Sequence, residues 1–187
     1  MFERENFFQI PQFLTFNEVL DLREQVQFLR TEFREATIGS SKRLETKIRS
    51  DQICWIDPET TATSLPLQNY FSKLESLRKS LNEKYFLGLN ALDSHFALYQ
   101  PGAFYERHLD VSSEKRSARK VSLVCYLNSS WKPADGGVLR LYFVNDSVDI
   151  EPQAGTLVGF LSDQVEHEVL PTYCERLSLT SWFLDSF

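Results

Sequence analysis

The second half of the chain is a succession of short apolar runs separated by turn residues, and this pattern constrains the fold most. The run at 121–127 is almost wholly apolar, and Asp135-Gly136-Gly137 is a turn signal that precedes another run. The remaining runs lie at 95–99, 138–143, 155–160, 166–170 and 176–183. Many short strands with turns between them predict a β-sandwich or a β-barrel from residue 91 onward.

The first half of the 187-residue chain carries two helical patterns instead. Thr15 and Glu18 have the spacing of a capping box, and apolar residues follow them at helical spacing. A second helix is predicted to begin near Ser64-Leu65-Pro66, because proline is favoured in the first turn of a helix. Between the helices we expect a mobile polar loop at 36–46 and a strand at 48–56.

Charge and cysteine content argue against several classes of protein. Lys and Arg total 20 while Asp and Glu total 26, and the net charge of −6 disfavours general electrostatic binding to nucleic acids. The three cysteines include no CxxC pair, and their odd number indicates a reducing compartment rather than a disulfide framework. No stretch resembles a secretory signal or reaches the ~18 apolar residues that span a membrane. We therefore expect a cytoplasmic protein that does not bind membranes.

Two of the three histidines stand in a pattern that suits a metal ion. His108 and Asp110 are two residues apart, so their side chains project to the same side of an extended chain. His167 follows at the start of a later predicted strand. Two histidines and one carboxylate form the facial triad of non-haem Fe(II) oxygenases, which leaves coordination positions open. The alternative is two surface histidines and a turn aspartate. His95 matches no ligand position, and we expect it to be structural.

The last predicted strand places a basic residue on one of its faces. Alternation puts Arg176, Ser178, Thr180 and Trp182 on one side and mainly leucines on the other. If the leucines pack against the helices, Arg176 points into the barrel, where a buried arginine requires an anion. A dicarboxylic cosubstrate would supply that anion through a bidentate pair. The alternative is an edge strand with a solvated polar face.

Taken together, these motifs have the order and spacing of a known family. The segments that carry the likeness are Tyr99-Gln100-Pro101-Gly102, Tyr105-Glu106-Arg107-His108-Leu109-Asp110, Tyr126-Leu127-Asn128, Trp131, Gly136-Gly137-Val138-Leu139-Arg140, His167-Glu168-Val169, Arg176 and Trp182. An upstream segment, Lys47 to Ile56, also contributes, although Ser50 stands where the family has glycine. With these segments the chain resembles the 2-oxoglutarate- and Fe(II)-dependent prolyl hydroxylases. It is most similar to the oxygen-sensing prolyl hydroxylase domain subfamily and its bacterial relatives.

The resemblance implies a mostly β fold with supporting helices. In this fold a double-stranded β-helix, or jelly roll, packs against N-terminal α-helices. We expect one Fe(II)/2-oxoglutarate dioxygenase domain over residues 1–187. Helical support and a substrate-loop region would occupy 1–90, and the jelly-roll core would occupy 91–187.

The resemblance also assigns roles to individual residues. The metal ligands and catalytic residues would be His108, Asp110 and His167. The residues that bind 2-oxoglutarate or wall its pocket would be Arg176, Tyr126, Tyr99, Leu139 and Val169. The residues on the substrate side would be Arg49, Asp51, Tyr105, Arg119 and Trp182.

Strand parity raises a question about two of these assignments. Arg119 and Tyr126 are an odd number of residues apart, so a regular strand would place them on opposite faces. Tyr105 and His108 present the same conflict. We therefore expect that a β-bulge intervenes, or that Arg119 precedes its strand.

As function, the resemblance implies hydroxylation of a prolyl residue in a protein substrate. Fe(II) would be the cofactor, and 2-oxoglutarate and O₂ would be the cosubstrates. Ascorbate would be a further ligand. The reaction would convert 2-oxoglutarate to succinate and CO₂. The partner would be a proline-containing protein or peptide, of the translation elongation factor type in bacterial relatives. We expect a monomer.

Three other functions remain open from the sequence. The same chemistry could act on a free amino acid or another small molecule. A basic cluster, Lys115-Arg116 with Arg119-Lys120, leaves room for a nucleic-acid demethylase, against the net charge. A non-catalytic jelly-roll binding module is the third alternative.

Overall fold

A computed structural model of the protein describes Phe2 and residues 6–37, 47–110 and 117–186. The helices are α1 (Phe16–Phe28), α2 (Pro58–Thr63) and α3 (Leu65–Tyr85). The strands are β1 (Phe7–Ile10), β2 (Arg34–Glu35), β3 (Gln52–Trp55), β4 (Ala91–Tyr99), β5 (Tyr105–His108), β6 (Ser117–Tyr126), β7 (Leu139–Tyr142), β8 (Ser147–Ile150), β9 (Leu157–Leu161), β10 (Glu166–Val169) and β11 (Arg176–Ser186). Most of the predicted mobile loop, 38–46, lies outside the described residues, as do Lys115 and Arg116.

Polar caps fix the starts of the two long helices where the sequence predicts them. Thr15 Oγ1 accepts from the Glu18 amide, and the Glu18 carboxylate accepts from the Thr15 amide, which completes the capping box before α1. Ser64 Oγ accepts from the Leu67 amide at the start of α3, and Pro66 stands in its first turn. No helix among the described residues is both long and apolar enough to cross a bilayer.

The strands form two antiparallel sheets, as the apolar runs predict. The major sheet has seven strands in the order β1-β9-β6-β11-β4-β3-β2, and the minor sheet has four in the order β5-β10-β7-β8. One apolar core lies between the helices and the major sheet, where Leu67 and Leu74 of α3 meet Leu177 and Leu179 of β11. A second core lies between the two sheets. This arrangement agrees with a jelly roll supported by N-terminal helices.

The central position of β11 explains the alternation in its sequence. It pairs with β4 on one side and β6 on the other, so the alternative of a solvated edge strand is wrong. Its leucines face the helices, while Arg176 and Ser178 are buried on the opposite side, towards the minor sheet.

Two bulges resolve the parity conflicts. Phe183 lies opposite Val121 and Leu184 opposite Arg119, so Lys120 is an extra residue in β6. This bulge turns Arg119 to the side of the sheet that carries Tyr126. In the minor sheet, His167 lies opposite His108 and Val169 opposite Tyr105, so three residue steps along β5 are paired with two steps along β10.

One predicted strand is shorter in the structure than in the sequence analysis. The expected strand at 48–56 is reduced to β3, because Arg49 makes an isolated bridge to Tyr105 on the other sheet. Asp51 is buried in a bidentate ion pair with Arg49 between that bridge and β3. The ion pair thus replaces regular pairing at the start of the predicted strand.

Gly159 allows β1 to pack closely on β9, and its substitution should weaken the fold. A Cβ atom at this position would lie 2.2 Å from Cζ of Phe8, whose ring is buried in the helix-side core. We expect Gly159→Ala to lower the free energy of unfolding by about 1–3 kcal/mol through overpacking, measured by urea denaturation. Adding Phe8→Leu should recover part of the loss. Parental stability of Gly159→Ala would contradict this contact.

Candidate active site

The three predicted metal ligands come together between the sheets. His108 ends β5, Asp110 follows it, and His167 lies directly opposite His108 in β10. One ligand atom from each residue lies within 4.8 Å of the others. Nε2 of His108 is 3.6 Å from Oδ1 of Asp110, and Nε2 of His167 is 3.6 Å from Oδ2. The alternative of dispersed surface residues is therefore wrong.

Backbone carbonyls orient both imidazoles towards this cluster. Nδ1 of His108 is 2.7 Å from the Glu106 carbonyl oxygen, and Nδ1 of His167 is 3.3 Å from that of Val165. When Nδ1 carries the proton and donates it to a carbonyl, the lone pair of Nε2 is free to bind a metal. Both histidines thus present the same ring atom to Asp110.

The protonation states of the cluster suit a divalent cation. Burial acts to raise the pKa of Asp110, but His167, His108 and the indole N–H of Trp182 hold it well below its usual range. Burial lowers the pKa of His167 to about 4, although the Asp110 carboxylate opposes the shift. At neutral pH the carboxylate is ionised and His167 is neutral, as metal binding requires. These residues therefore fit Fe(II).

Arg176 provides an unfilled anion site close by. Its side chain is among the most buried of the protein, at 1% exposed. Nε donates to the Gly137 carbonyl at 2.8 Å and Nη1 to Ser178 Oγ at 3.4 Å. Nη2 and the Tyr126 hydroxyl are buried and have no hydrogen-bond partner in the described part of the chain. Because buried donors are rarely left unpaired, this pair fits a carboxylate of 2-oxoglutarate.

The other residues predicted for the cosubstrate surround the same space. Tyr99 lies opposite Arg176 in the β4–β11 pair, with the guanidinium carbon 4.9 Å from its ring centroid. Burial raises the pKa of the Tyr99 and Tyr126 hydroxyls well above the usual range, so both remain hydrogen-bond donors. Leu139 and Val169 belong to the core between the sheets and supply apolar surface.

All five residues predicted for the substrate side lie around the triad. The rings of Tyr105 and His108 are stacked, with their centroids 3.6 Å apart. The Arg49 guanidinium also lies over the Tyr105 ring, 4.2 Å from its centroid. Arg49 in turn holds Asp51 through two hydrogen bonds of 2.8 and 2.7 Å. Arg119 lies over Trp182 at 3.7 Å.

Trp182 shares its contact with Asp110 with a serine that the sequence analysis did not assign to the site. Its Nε1 donates to Oδ2 of Asp110 at 2.9 Å, and Ser122 Oγ donates to the same oxygen at 2.7 Å. Ser122 is the one hydroxyl within the apolar run at 121–125, and that interruption is the signal that could have identified it. His95 is buried against Trp182 and Trp55 rather than in the cluster, as expected of a structural histidine.

Comparisons with known proteins agree with this geometry. The model of the 2OG-Fe(II) oxygenase superfamily matches residues 94–184. The crystal structure of a Pseudomonas putida prolyl-4-hydroxylase is 42% identical, with a TM-score of 0.86, covering 96% of this chain and 92% of that chain. A prolyl hydroxylase from Trichoplax adhaerens, in complex with a hypoxia inducible factor oxygen degradation domain peptide fragment, is 29% identical with a TM-score of 0.86, covering 97% and 84%.

A curated human protein is related over a smaller share of its length. Egl nine homolog 1 from Homo sapiens is 32% identical over 165 residues, which make up 82% of this chain and 37% of that protein. The chain thus spans less than half the length of this relative. On the similarity to the Pseudomonas putida enzyme and the match to the superfamily model, the chain belongs to the prolyl hydroxylases of the 2OG-Fe(II) oxygenase superfamily.

Proposed function

We propose that the protein hydroxylates a prolyl residue in a protein or peptide, using Fe(II), O₂ and 2-oxoglutarate and releasing succinate and CO₂. The observation that carries the proposal is the His108–Asp110–His167 cluster beside a buried Arg176 whose Nη2 has no partner. When bound, iron supplies the activation of O₂ and the oxidative decarboxylation of the cosubstrate. The chain itself supplies binding, orientation and a dry pocket.

Different residues of the pocket bind the metal, bind the cosubstrate and exclude water. The triad holds the metal, and Arg176 and Tyr126 hold the distal carboxylate of 2-oxoglutarate by charge-assisted hydrogen bonds. Tyr99, which lies opposite Arg176, would contact the end of the cosubstrate that binds the metal. The apolar side chains of Leu139 and Val169 exclude water, which strengthens the electrostatic contacts inside the pocket.

A prolyl side chain suits the rim of the site. Tyr105 and Trp182 lie beside the triad, and Arg49 and Arg119 lie against their rings. Aromatic rings and the methylene groups of the arginines supply apolar surface for a pyrrolidine ring, while the guanidinium groups can donate to the carbonyls of an extended peptide. The Trichoplax adhaerens relative in complex with a peptide fragment and the Pseudomonas putida relative described as a prolyl-4-hydroxylase support this choice. We propose the ring C4 as the carbon that is hydroxylated.

Succinate release separates peptide hydroxylation from the alternatives. We expect the protein with Fe(II), 2-oxoglutarate and ascorbate, which keeps iron reduced, to release succinate faster with prolyl peptides than with free proline. Stimulation by free proline alone would favour a small-molecule enzyme. A non-catalytic module would show no rise in melting temperature with Mn(II) plus 2-oxoglutarate, whereas the proposed site predicts one.

Arg119 offers a direct test of the peptide side. Arg119→Gln removes the cation from the face of Trp182 and should raise KM for the peptide about tenfold, the change that ~1.4 kcal/mol produces. Steady-state kinetics with varied peptide measures this, and KM for 2-oxoglutarate should change much less. Equal changes in both constants would contradict a role confined to the peptide.

Four finer expectations stay predictions. They are a partner of the translation elongation factor type, a monomeric state, a cytoplasmic location and ascorbate binding. Lys115 and Arg116 of the basic cluster that left nucleic acid open lie outside the described residues, whereas Arg119 of the same cluster lies over Trp182. The relatives described above are named as prolyl hydroxylases.

A further inference from the structure

One oxygen of the Asp110 carboxylate is already occupied within the protein. Oδ2 accepts from Ser122 Oγ at 2.7 Å and from the Trp182 indole at 2.9 Å. Ser122 Oγ lies 2.8 Å from Ser162 Oγ, and both serines are fully buried. The three side chains therefore form a connected polar group around the Asp110 carboxylate.

Counting protons fixes the direction of these hydrogen bonds. An ionised carboxylate can only accept hydrogen bonds, so Ser122 must donate its single O–H proton to Oδ2. The contact between the serines then requires Ser162 to donate to Ser122. Two donors on Oδ2 fix the orientation of the carboxylate. In this orientation Oδ1 lies 3.6 Å from Nε2 of His108, and Oδ2 lies 3.6 Å from Nε2 of His167.

These contacts join the carboxylate to the opposite sheet from the histidines. His108 and His167 belong to the minor sheet, whereas Ser122 lies in β6 and Trp182 in β11 of the major sheet. Ser162 directly follows β9, and its carbonyl accepts from the Asp110 amide at 3.2 Å. Asp110 itself lies beyond the end of β5, so these hydrogen bonds, rather than strand pairing, set its position.

We propose that Ser122 and Ser162 are positioning residues that hold the Asp110 carboxylate in the orientation in which it can bind the metal together with His108 and His167. Trp182 completes the same support. The proposal rests on the metal centre of the proposed function. Partners that orient a metal ligand in this way typically change metal affinity by about 10- to 100-fold when they are removed.

Mn(II) titration of the metal-free protein, followed by the EPR signal of free Mn(II), tests the proposal without turnover. Ser122→Ala should raise the Kd for Mn(II) about 10- to 100-fold. Trp182→Phe, which keeps an aromatic ring but loses the N–H donor, should raise it in the same direction. Ser162→Ala should have a smaller effect, because Ser122 keeps its own bond to Asp110. Ser122→Thr, which retains the hydroxyl, should restore most of the affinity.

Ser94→Ala is the matched control. Ser94 is buried and donates to Ser181 Oγ at 2.8 Å, on the helix side of the major sheet and away from the triad. Urea denaturation of the metal-free variants confirms that each is folded. Parental Mn(II) affinity in Ser122→Ala, or an equal loss in Ser94→Ala, would overturn the positioning role. A parent protein that does not bind Mn(II) would instead contradict the metal centre, and this proposal with it.

Discussion

Replacing Asp110 by alanine is expected to abolish metal binding and to reduce succinate formation at least about a thousandfold, equivalent to about 4 kcal/mol of transition-state stabilisation. The substitution removes the one anionic ligand and leaves two neutral imidazoles, which bind a divalent cation weakly on their own. It also leaves the Ser122 and Trp182 donors without their acceptor. Mn(II) titration and succinate assays measure the two losses separately.

His167→Ala should give a loss of the same order, since His167 is the ligand that comes from the second strand of the site. Asp149→Ala is the matched carboxylate control, because Asp149 pairs with Arg140 on the exposed face of the minor sheet. Exposed ion pairs contribute only ~0–1 kcal/mol, so this variant should bind metal and turn over as the parent does. Parental turnover in Asp110→Ala or His167→Ala would refute the assignment of the triad.

Replacing Arg176 by glutamine is expected to raise KM for 2-oxoglutarate about a hundredfold while leaving Mn(II) affinity near the parental value. The reason is the buried guanidinium with its unpartnered Nη2, which the structure places beside the unpartnered Tyr126 hydroxyl. Removing one partner of a buried charge pair costs about 2–5 kcal/mol, and a hundredfold change corresponds to ~2.7 kcal/mol. Titration with varied 2-oxoglutarate at saturating Fe(II) measures KM.

A lysine at the same position should rescue only part of this loss. Lysine keeps the charge, but its single ammonium group cannot form the two-point contact that a guanidinium makes with a carboxylate. It also lacks the second nitrogen with which Arg176 donates to the Gly137 carbonyl. Arg140→Gln is the control, because Arg140 is half-buried on the outer face and pairs with Asp149. If Arg176→Gln left KM for 2-oxoglutarate unchanged, the cosubstrate carboxylate would have to bind elsewhere.

The parts of the fold that could be predicted are those in which one strong local signal decides the outcome. The alternation of β11 identified both its buried Arg176 and its helix-facing leucines, because the major sheet lies between the helices and the minor sheet and its central strand is buried on both faces. The caps at Thr15 and Ser64 located both long helices, since the orphan amides of a helix start require a nearby acceptor.

Other elements were missed because their sequences lack such signals. Strand β5 contains the exposed residues Glu106 and Arg107 next to each other, so its sequence shows no alternation of apolar and polar residues. Helix α2 is only 6 residues long, and its Asp57 cap precedes no apolar stripe. Strand β1 has only 4 residues, which is too few to show a clear alternation of apolar and polar side chains.

The metal ligands of the candidate site could be predicted from the sequence, but the residues that orient them could not. The spacing of His108 and Asp110 is local, and the resemblance supplied the rest of the residue assignments. The location of the bulge at Lys120 depends on how β6 pairs with β11, which no spacing within one strand determines. Ser122 and Ser162 come from different strands, so their contact with Asp110 is visible only once the sheets are assembled.

Mass spectrometry of a host proteome with and without the active protein tests whether this chain hydroxylates a prolyl residue in a protein. We expect one added oxygen on a proline of a specific protein, present with the parent and absent with the Asp110→Ala variant. Consumption of 2-oxoglutarate without any such oxygen on a protein, or the same modification in the presence of Asp110→Ala, would contradict it.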